Sequence, residues 1–393
     1  MKPKANFLFV CLVAGLMSVV ALSIDSILPA MGYVRHKFDV RPEDGHWILT
    51  ALFLGLAIGQ LFFGPLSDTI GRKTTIYVGI IIFSSGSVIS FLANDYSFFI
   101  FGRFVQGLGV SAPRIVSQAI IRDVVTGTAM ARLNSFVMTV FIAVPVFAPI
   151  LGQFVIWTIG WSYIFVVLIV YCLTLTLIFG LTINETLKQP QQFNFETILQ
   201  GCLSVFSNKM TLGFTVALGC VLGCLISFLN IAQPLYQEVY SVGDKFSFYF
   251  AGTALVIGMA SLLNAKLVSR IKLDSIVTYA LIWSWVCSAA FLILALNYVT
   301  IDLLAFLLFS ALVFTTFGFL FSNFNAMALE PMGHIAGTAS ALIATVSNII
   351  ALCMGAISSY FFSGSPTPLI AVFFINSTTA ICIIFYLKRF SIR

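Results

Sequence analysis

Twelve apolar runs, each about long enough to cross a hydrocarbon layer of roughly 30 Å as a helix, leave this chain very few folds. They fall at 7–28, 46–66, 75–93, 97–120, 133–156 and 161–183, then at 210–233, 246–265, 275–296, 301–325, 335–360 and 366–388. The residues between them cannot clothe a water-soluble globule. Only 9% of the 393 residues are charged, against 60% hydrophobic, whereas soluble domains average about 25% charged. An all-α membrane protein of twelve transmembrane helices is therefore expected. The runs contain no nucleophile–base cluster, metal-ligand spacing, nucleotide-binding loop or soluble catalytic domain. Neither an enzyme nor direct ATP drive is expected, and no cofactor.

The widest polar break, "NETLKQPQQFNFET", separates six runs from six. The expected organisation is an N-terminal six-helix bundle at 1–183, a cytoplasmic linker at 184–209 and a C-terminal six-helix bundle at 210–393, related by pseudo-symmetry. Basic residues orient the spans. With a cytoplasmic N-terminus, the inner segments hold Lys2, Lys4, Arg72, Lys73, Arg122, Arg132, Lys188, Lys209, Lys266, Arg270, Lys272, Lys388, Arg389 and Arg393. The outer segments hold only Arg35, Lys37, Arg41 and Lys245. That bias places both termini in the cytoplasm and accounts for the net charge of +6 without nucleic acid. The first run carries Asp25 and is followed by further spans, so it reads as a retained helix rather than a signal peptide. The eight cysteines lie singly in or beside apolar runs and read as small buried hydrophobes.

One charged knot stands out, "FGPLSDTIGRKT" at 63–74, between the second and third runs. Gly64 and Gly71 suit tight turning and close helix approach. Asp68 can face the positive end of a neighbouring helix, with Arg72 and Lys73 in water pinning the loop inside. "NAKLVSRIKLD" at 264–274 follows the eighth run as the knot follows the second. Such parallel repeats suit two bundles that rock about a common site, with the knot as a cytoplasmic gate.

These stretches resemble the major facilitator superfamily. "GPLSDTIGRKT" is similar to its loop signature Gly-x-Leu-Ala-Asp-Arg-x-Gly-Arg-Lys-x: Asp68, Gly71, Arg72 and Lys73 match, Gly64 and Pro65 fit a subfamily form, and Thr69 replaces an arginine. "RFVQGLG" at 103–109 looks like the span-four signature Arg-x-x-Gln-Gly. "FNAMALEPMGHIAGTASAL" at 324–342 resembles the bicyclomycin/chloramphenicol-resistance branch of the drug:proton antiporters. The resemblance implies two six-helix bundles around a central cavity and export of drugs or metabolites in exchange for protons. The span-five signature Gly-x-x-x-Gly-Pro-x-x-Gly-Gly is eroded. In "VPVFAPILGQ", Pro149 and Gly152 are kept, while Val144, Ala148 and Gln153 replace glycines.

Ionisable groups inside membrane spans usually mark a pathway or proton site. Asp25, in "ALSIDSILPA", could exchange its proton between burial and a nearby arginine, or pair statically. The resemblance gives Arg103 a role in proton coupling, with static pairing to Asp25 the alternative; Gln106 shares its face. Arg114 follows Arg103 by eleven residues, close to three turns, with Ser117 and Gln118 beside it. Its planar fork suits a carboxylate, so an organic acid or citrate-type siderophore is expected over a purely cationic drug; snorkelling or pairing within the bundle is the alternative. In the second half Asn230, Gln233, Asn323, Asn325 and Asn348 could bind the solute or join helices. Tyr33, Trp47 and Tyr236 read as interface anchors, Tyr236 also as a mouth residue. The expected function is proton-coupled efflux of a small drug-like or metabolite solute from the bacterial inner membrane by alternating access. The alternative is movement of a carboxylate-bearing metabolite or siderophore. A monomer whose partners are substrate, protons and lipid is expected.

Overall fold

The computed structural model describes residues 7–125, 127–187, 189–190, 201, 203–297 and 301–391. All of the regular structure among them is helical. The chain divides into two compact units, Met1–Val40 with Trp47–Phe195, and Arg41–His46 with Glu196–Arg393. Most of the expected linker, 191–200, lies outside the described residues.

Unit 1 contains α1 (Phe7–Asp25), α2 (Met31–Lys37), α3 (Trp47–Ile70), α4 (Arg72–Leu92), α5 (Tyr96–Val124), α6 (Gly127–Thr158) and α7 (Tyr163–Thr182). The first apolar run is broken early. The α-helix stops at Asp25, and a short 3₁₀ turn at Leu28–Ala30 carrying Pro29 leads into α2, because proline cannot donate the backbone bond that helix continuation needs. α5 packs along both α3 and α4, while α1 packs on α5, α6 and α7. The α3–α5 contact is a backbone approach, since a Cβ on Gly107 would overlap the Leu52 carbonyl. Small residues allow such approach in membranes, where van der Waals packing replaces the hydrophobic drive. Asp95 starts α5 by accepting the Phe98 N–H at 2.8 Å, satisfying a donor left over at the helix start.

Unit 2 contains α8 (Lys209–Gln233), α9 (Phe246–Leu267), α10 (Leu273–Asn297), α11 (Leu303–Leu329), α12 (Ala336–Tyr360) and α13 (Thr367–Ser391). α8 is the hub, packed on α11, α12 and α13. Asn208 caps α8 through the N–H groups of Met210 and Thr211, both at 3.0 Å, and Asp302 caps α11 through Ala305 at 2.8 Å. Phe309, Phe314 and Phe317 of α11 close on Phe373 of α13 at 5.6–6.0 Å between ring centroids. Past Gln233 the helix widens to a π-turn over Pro234–Val239. Tyr236, expected at an interface or mouth, is instead fully buried there, stacked on Tyr249 at 5.8 Å.

Among the described residues, ten segments are long and apolar enough to cross a membrane. Their outward faces are apolar too. Leu173, Leu177 and Leu181 on α7, and Tyr279, Trp283, Val286 and Ile293 on α10, stand exposed. Contiguous apolar surface of that kind marks contact with lipid or with another protein, and in segments of this length lipid is the natural partner. The observed helices follow the expected runs to within a few residues, apart from the break after Asp25 and extensions such as α3 to Ile70 and α11 to Leu329.

Candidate functional site

The charged knot is built around one backbone conformation. Gly71, between α3 and α4, has φ +100° and ψ 156°, a region essentially restricted to glycine. The turn lets α4 begin at Arg72 with its first N–H groups pointing at Glu185, just past α7. Glu185 Oε1 accepts the Arg72 N–H and Oε2 the Lys73 N–H, each at 3.0 Å. Oε1 also accepts from Thr186 at 2.8 Å and Leu187 at 2.9 Å. A carboxylate at a helix N-terminus meets both free donors and the positive end of the dipole. Partial burial pushes the Glu185 carboxyl up, but these backbone donors outweigh it and hold it below the usual carboxylate range.

The side chains depart from the sequence reading. Arg72 is buried rather than in water. It pairs with Asp68 at 2.6 Å and Asp123 at 3.0 Å, and donates to Ser67 Oγ at 2.7 Å. Asp68 therefore pairs across the α3–α4 turn instead of facing a neighbouring helix. Lys73 reaches the Gly180 carbonyl at 2.8 Å, satisfying an acceptor near the end of α7. Gly64 neither turns nor makes a close approach. It lies within α3, and a Cβ there would have Ile115 as its nearest neighbour at 3.8 Å.

Arg103 is fully buried in unit 1 and is paired to no carboxylate among the described residues. Its Nε donates to the Ile48 carbonyl at 3.0 Å, one terminal nitrogen to Gln106 Oε1 at 2.6 Å and the other to the Ser23 carbonyl at 3.1 Å. Gln106 passes the network to α4 through Ser87 Oγ at 2.9 Å. One guanidinium thus ties α1, α3 and α5, with α4 added through the amide, in a geometry that only a planar fork can serve. Gln106 is consumed by this network.

Asp25, at the end of α1, is 5% exposed and makes no hydrogen bond or ion pair with the described residues. The static Asp25–Arg103 pair is not formed. Arg103 holds the carbonyl of Ser23 instead, fixing the turn that carries Asp25. On α5, Arg114 is half-buried, also without a partner among the described residues. Ser117 Oγ, one turn on, is buried without a hydrogen bond, and Gln118 is exposed.

In unit 2 the amides divide. Asn323 of α11 exchanges two hydrogen bonds with Asn264 of α9, at 3.0 and 3.2 Å, and joins those helices. Gln233 donates to Gln237 at 2.7 Å, but its Oε1 and both amide atoms of Asn230 are buried without partners among the described residues. Asn325 is half-buried, and Asn348 is buried. Unsatisfied buried amides of this kind are costly and suit a polar ligand better than a core. Sequence reasoning missed Glu185 and Asp123. Each is an acid beside an apolar run, a signal that becomes specific only when set against the arginine it meets in space.

The family model described as "Major Facilitator Superfamily" matches residues 12–356. The chain is 28% identical over 365 residues to the bicyclomycin resistance protein homolog of Haemophilus influenzae, covering 91% of this chain and 90% of that protein. Against multidrug resistance protein D of Escherichia coli the identity is 22% over 365 residues, covering 89% and 88%. The solved structure of the xylose transporter from E. coli, in a partially occluded inward-open conformation, matches in fold with a TM-score of 0.72 over 98% of each chain at 12% identity. A multi-pass helical chain with this loop knot and this buried arginine, matched by the family model over most of its length, belongs to the major facilitator superfamily, and its work is secondary transport rather than catalysis.

Proposed function

We propose that this chain is a proton-coupled exporter of the bicyclomycin/chloramphenicol-resistance subfamily, and that its solute carries a carboxylate. The observation that carries the reading is Arg114, a half-buried guanidinium with no partner among the described residues. A charge in a membrane span costs free energy unless it faces water or an anion, and a planar fork suits a carboxylate. Ser117, unpartnered one turn away, adds a hydroxyl on the same face. Export is favoured by the relatives, a bicyclomycin resistance protein homolog and a multidrug resistance protein. The same Arg114 also suits a carboxylate-bearing metabolite or siderophore moved in either direction, which directional flux distinguishes.

In this reading α5 and α6 are the two further spans, making twelve in two pseudo-symmetric bundles of a monomer in the bacterial inner membrane, with both termini cytoplasmic. Asp25, buried without a counter-ion among the described residues, exchanges the coupling proton. Within unit 2, Asn230, Gln233, Asn325 and Asn348 are the amides left to meet a polar ligand. The knot of Asp68, Gly71, Arg72 and Lys73 gates the cytoplasmic side.

Purified variants in proteoliposomes test these roles by binding and by proton-driven flux. Asp25→Asn is expected to abolish uphill transport while leaving most of the solute binding. Arg114→Ala should weaken binding of an anionic solute by about 2–5 kcal/mol, the range for losing one partner of a desolvated charged pair, and Arg114→Lys should restore only part. Normal uphill flux by the asparagine variant removes Asp25 from coupling. Unchanged affinity in the alanine variant removes Arg114 from the site. Labelling of a cysteine placed at Pro190 from inside only supports the orientation, and labelling from outside overturns it.

A further inference from the structure

Unit 1 holds a cavity that neither the proton-exchange residues nor the Arg114 face uses. It is a half-open cleft of about 420 Å³ between α1, α6 and α7, within the range of small-molecule sites. Its α1 wall is one helical stripe, Cys11, Gly15, Ser18 and Leu22, spaced three or four residues apart. Val144 of α6 and Tyr171 and Leu175 of α7 close the other sides. Gly15 keeps the space open, since a Cβ there would stand 3.1 Å from both Leu175 methyls.

Among the described residues the lining carries no charged side chain. Asp25 lies one turn beyond Leu22 and is not part of the wall. The cavity does have one polar pole. Ser18 Oγ donates to the Gly15 carbonyl at 2.7 Å and lies 2.9 Å from Tyr171 Oη, which is itself 3.3 Å from that carbonyl. Both hydroxyl protons are used within this triangle whichever way the pair is oriented. What the pole retains is lone-pair capacity on the Tyr171 oxygen. It can accept a hydrogen bond from an occupant and has no proton left to give.

We propose that this cavity binds a neutral, mostly apolar small molecule that donates one hydrogen bond to Tyr171 Oη and enters from the hydrocarbon phase. Entry fits the surroundings. Leu151 of the lining is exposed, and so are Phe147 one turn before it on α6 and Leu177 two residues past Leu175 on α7, so the cleft opens on the apolar outer surface of unit 1. A lipid acyl chain would match the wall but has no donor, and so would ignore the pole. The proposal does not depend on the transport reading, because binding here needs no proton gradient.

The test uses the full chain in phosphatidylcholine nanodiscs and a diazirine-bearing dialkylphenol as photolabel. Label is expected on the α1 and α7 peptides, competed by 2,6-diisopropylphenol. Its methyl ether, equally apolar but lacking the donor, should compete about tenfold less well. Tyr171→Phe should weaken the phenol by about tenfold, one neutral hydrogen bond, and leave the ether unchanged. Gly15→Leu should abolish labelling of these peptides by filling the space. Leu22→Phe serves the same purpose if that variant does not fold. Absence of label from both peptides overturns the proposal. Equal competition by phenol and ether overturns it too, because the cavity is then only a crevice for acyl chains.

Discussion

Glu185 occupies the space that a side chain on Gly71 would need. Its Oε2 lies 2.7 Å from where a Gly71 Cβ would stand, while the same carboxylate takes the first two N–H groups of α4. Two residues 114 positions apart thus set how α3 turns into α4 and where the chain leaving α7 is held.

Gly71→Ala is expected to destabilise the protein by about 1–3 kcal/mol from backbone conformation alone, with a further loss from the displaced carboxylate. In a Glu185→Ala background the second loss disappears and the first remains. The two substitutions should therefore be less than additive, as contacting residues usually are. Thermal unfolding of the four proteins in one detergent measures this, and strict additivity would show that the contact carries no energy.

The same carboxylate makes stability depend on pH. Its donors hold it below the usual carboxylate range in the folded protein. A carboxyl depressed on folding contributes fully above its unfolded value, about 4.3, and that contribution is lost as pH falls through the folded value. Glu185→Gln should cost about 1 kcal/mol near neutral pH, like loss of a helix cap. The difference from wild type should shrink as pH is lowered below about 4. A gap in melting temperature that stays constant through that window would exclude Glu185 as its source.

Arg103→Ala should destabilise unit 1 by about 3 kcal/mol, since it strands the carbonyls of Ser23 and Ile48 and the Gln106 amide oxygen. Arg103→Lys is expected to recover less than half, because one ammonium cannot serve three acceptors spread around a plane. If Arg103 acts on coupling by fixing the turn before Asp25, both variants should lower proton-driven flux more than solute binding. Equal losses in flux and binding would instead point to general unfolding.

Asn264 and Asn323 separate joining helices from binding solute. Interhelical hydrogen bonds in membranes average about 0.6 kcal/mol, so Asn323→Ala should cost on the order of 1 kcal/mol. The double variant with Asn264→Ala should cost little more than either single one. Solute affinity should hold in both. A fall in affinity larger than the stability change would return Asn323 to the binding site.

The membrane-spanning helical character of the chain and the ionisable residues set within its apolar runs were legible in the sequence for one reason. A bilayer demands about twenty apolar residues per span and makes every charge inside one conspicuous. Asp25, Arg103 and Arg114 could thus be picked out by eye, and Pro29 already stood where α1 breaks. Their pairing could not be read in the same way. Arg103 takes carbonyls from Ser23 and Ile48, backbone acceptors that every residue carries and no composition marks. Arg72 looked like a solvated loop charge until Asp123 and Ser67 closed around it, and Glu185 became a helix cap only because α7 ends beside α4. Asn323 and Asn230 are the same amide in similar apolar runs, yet one is matched by Asn264 and the other is left unsatisfied. Hydrophobic length is a local property of the chain and is written residue by residue. Hydrogen-bond partnership is a relation between distant segments, and only the packed helices decided which polar groups are spent on the fold and which remain for a ligand.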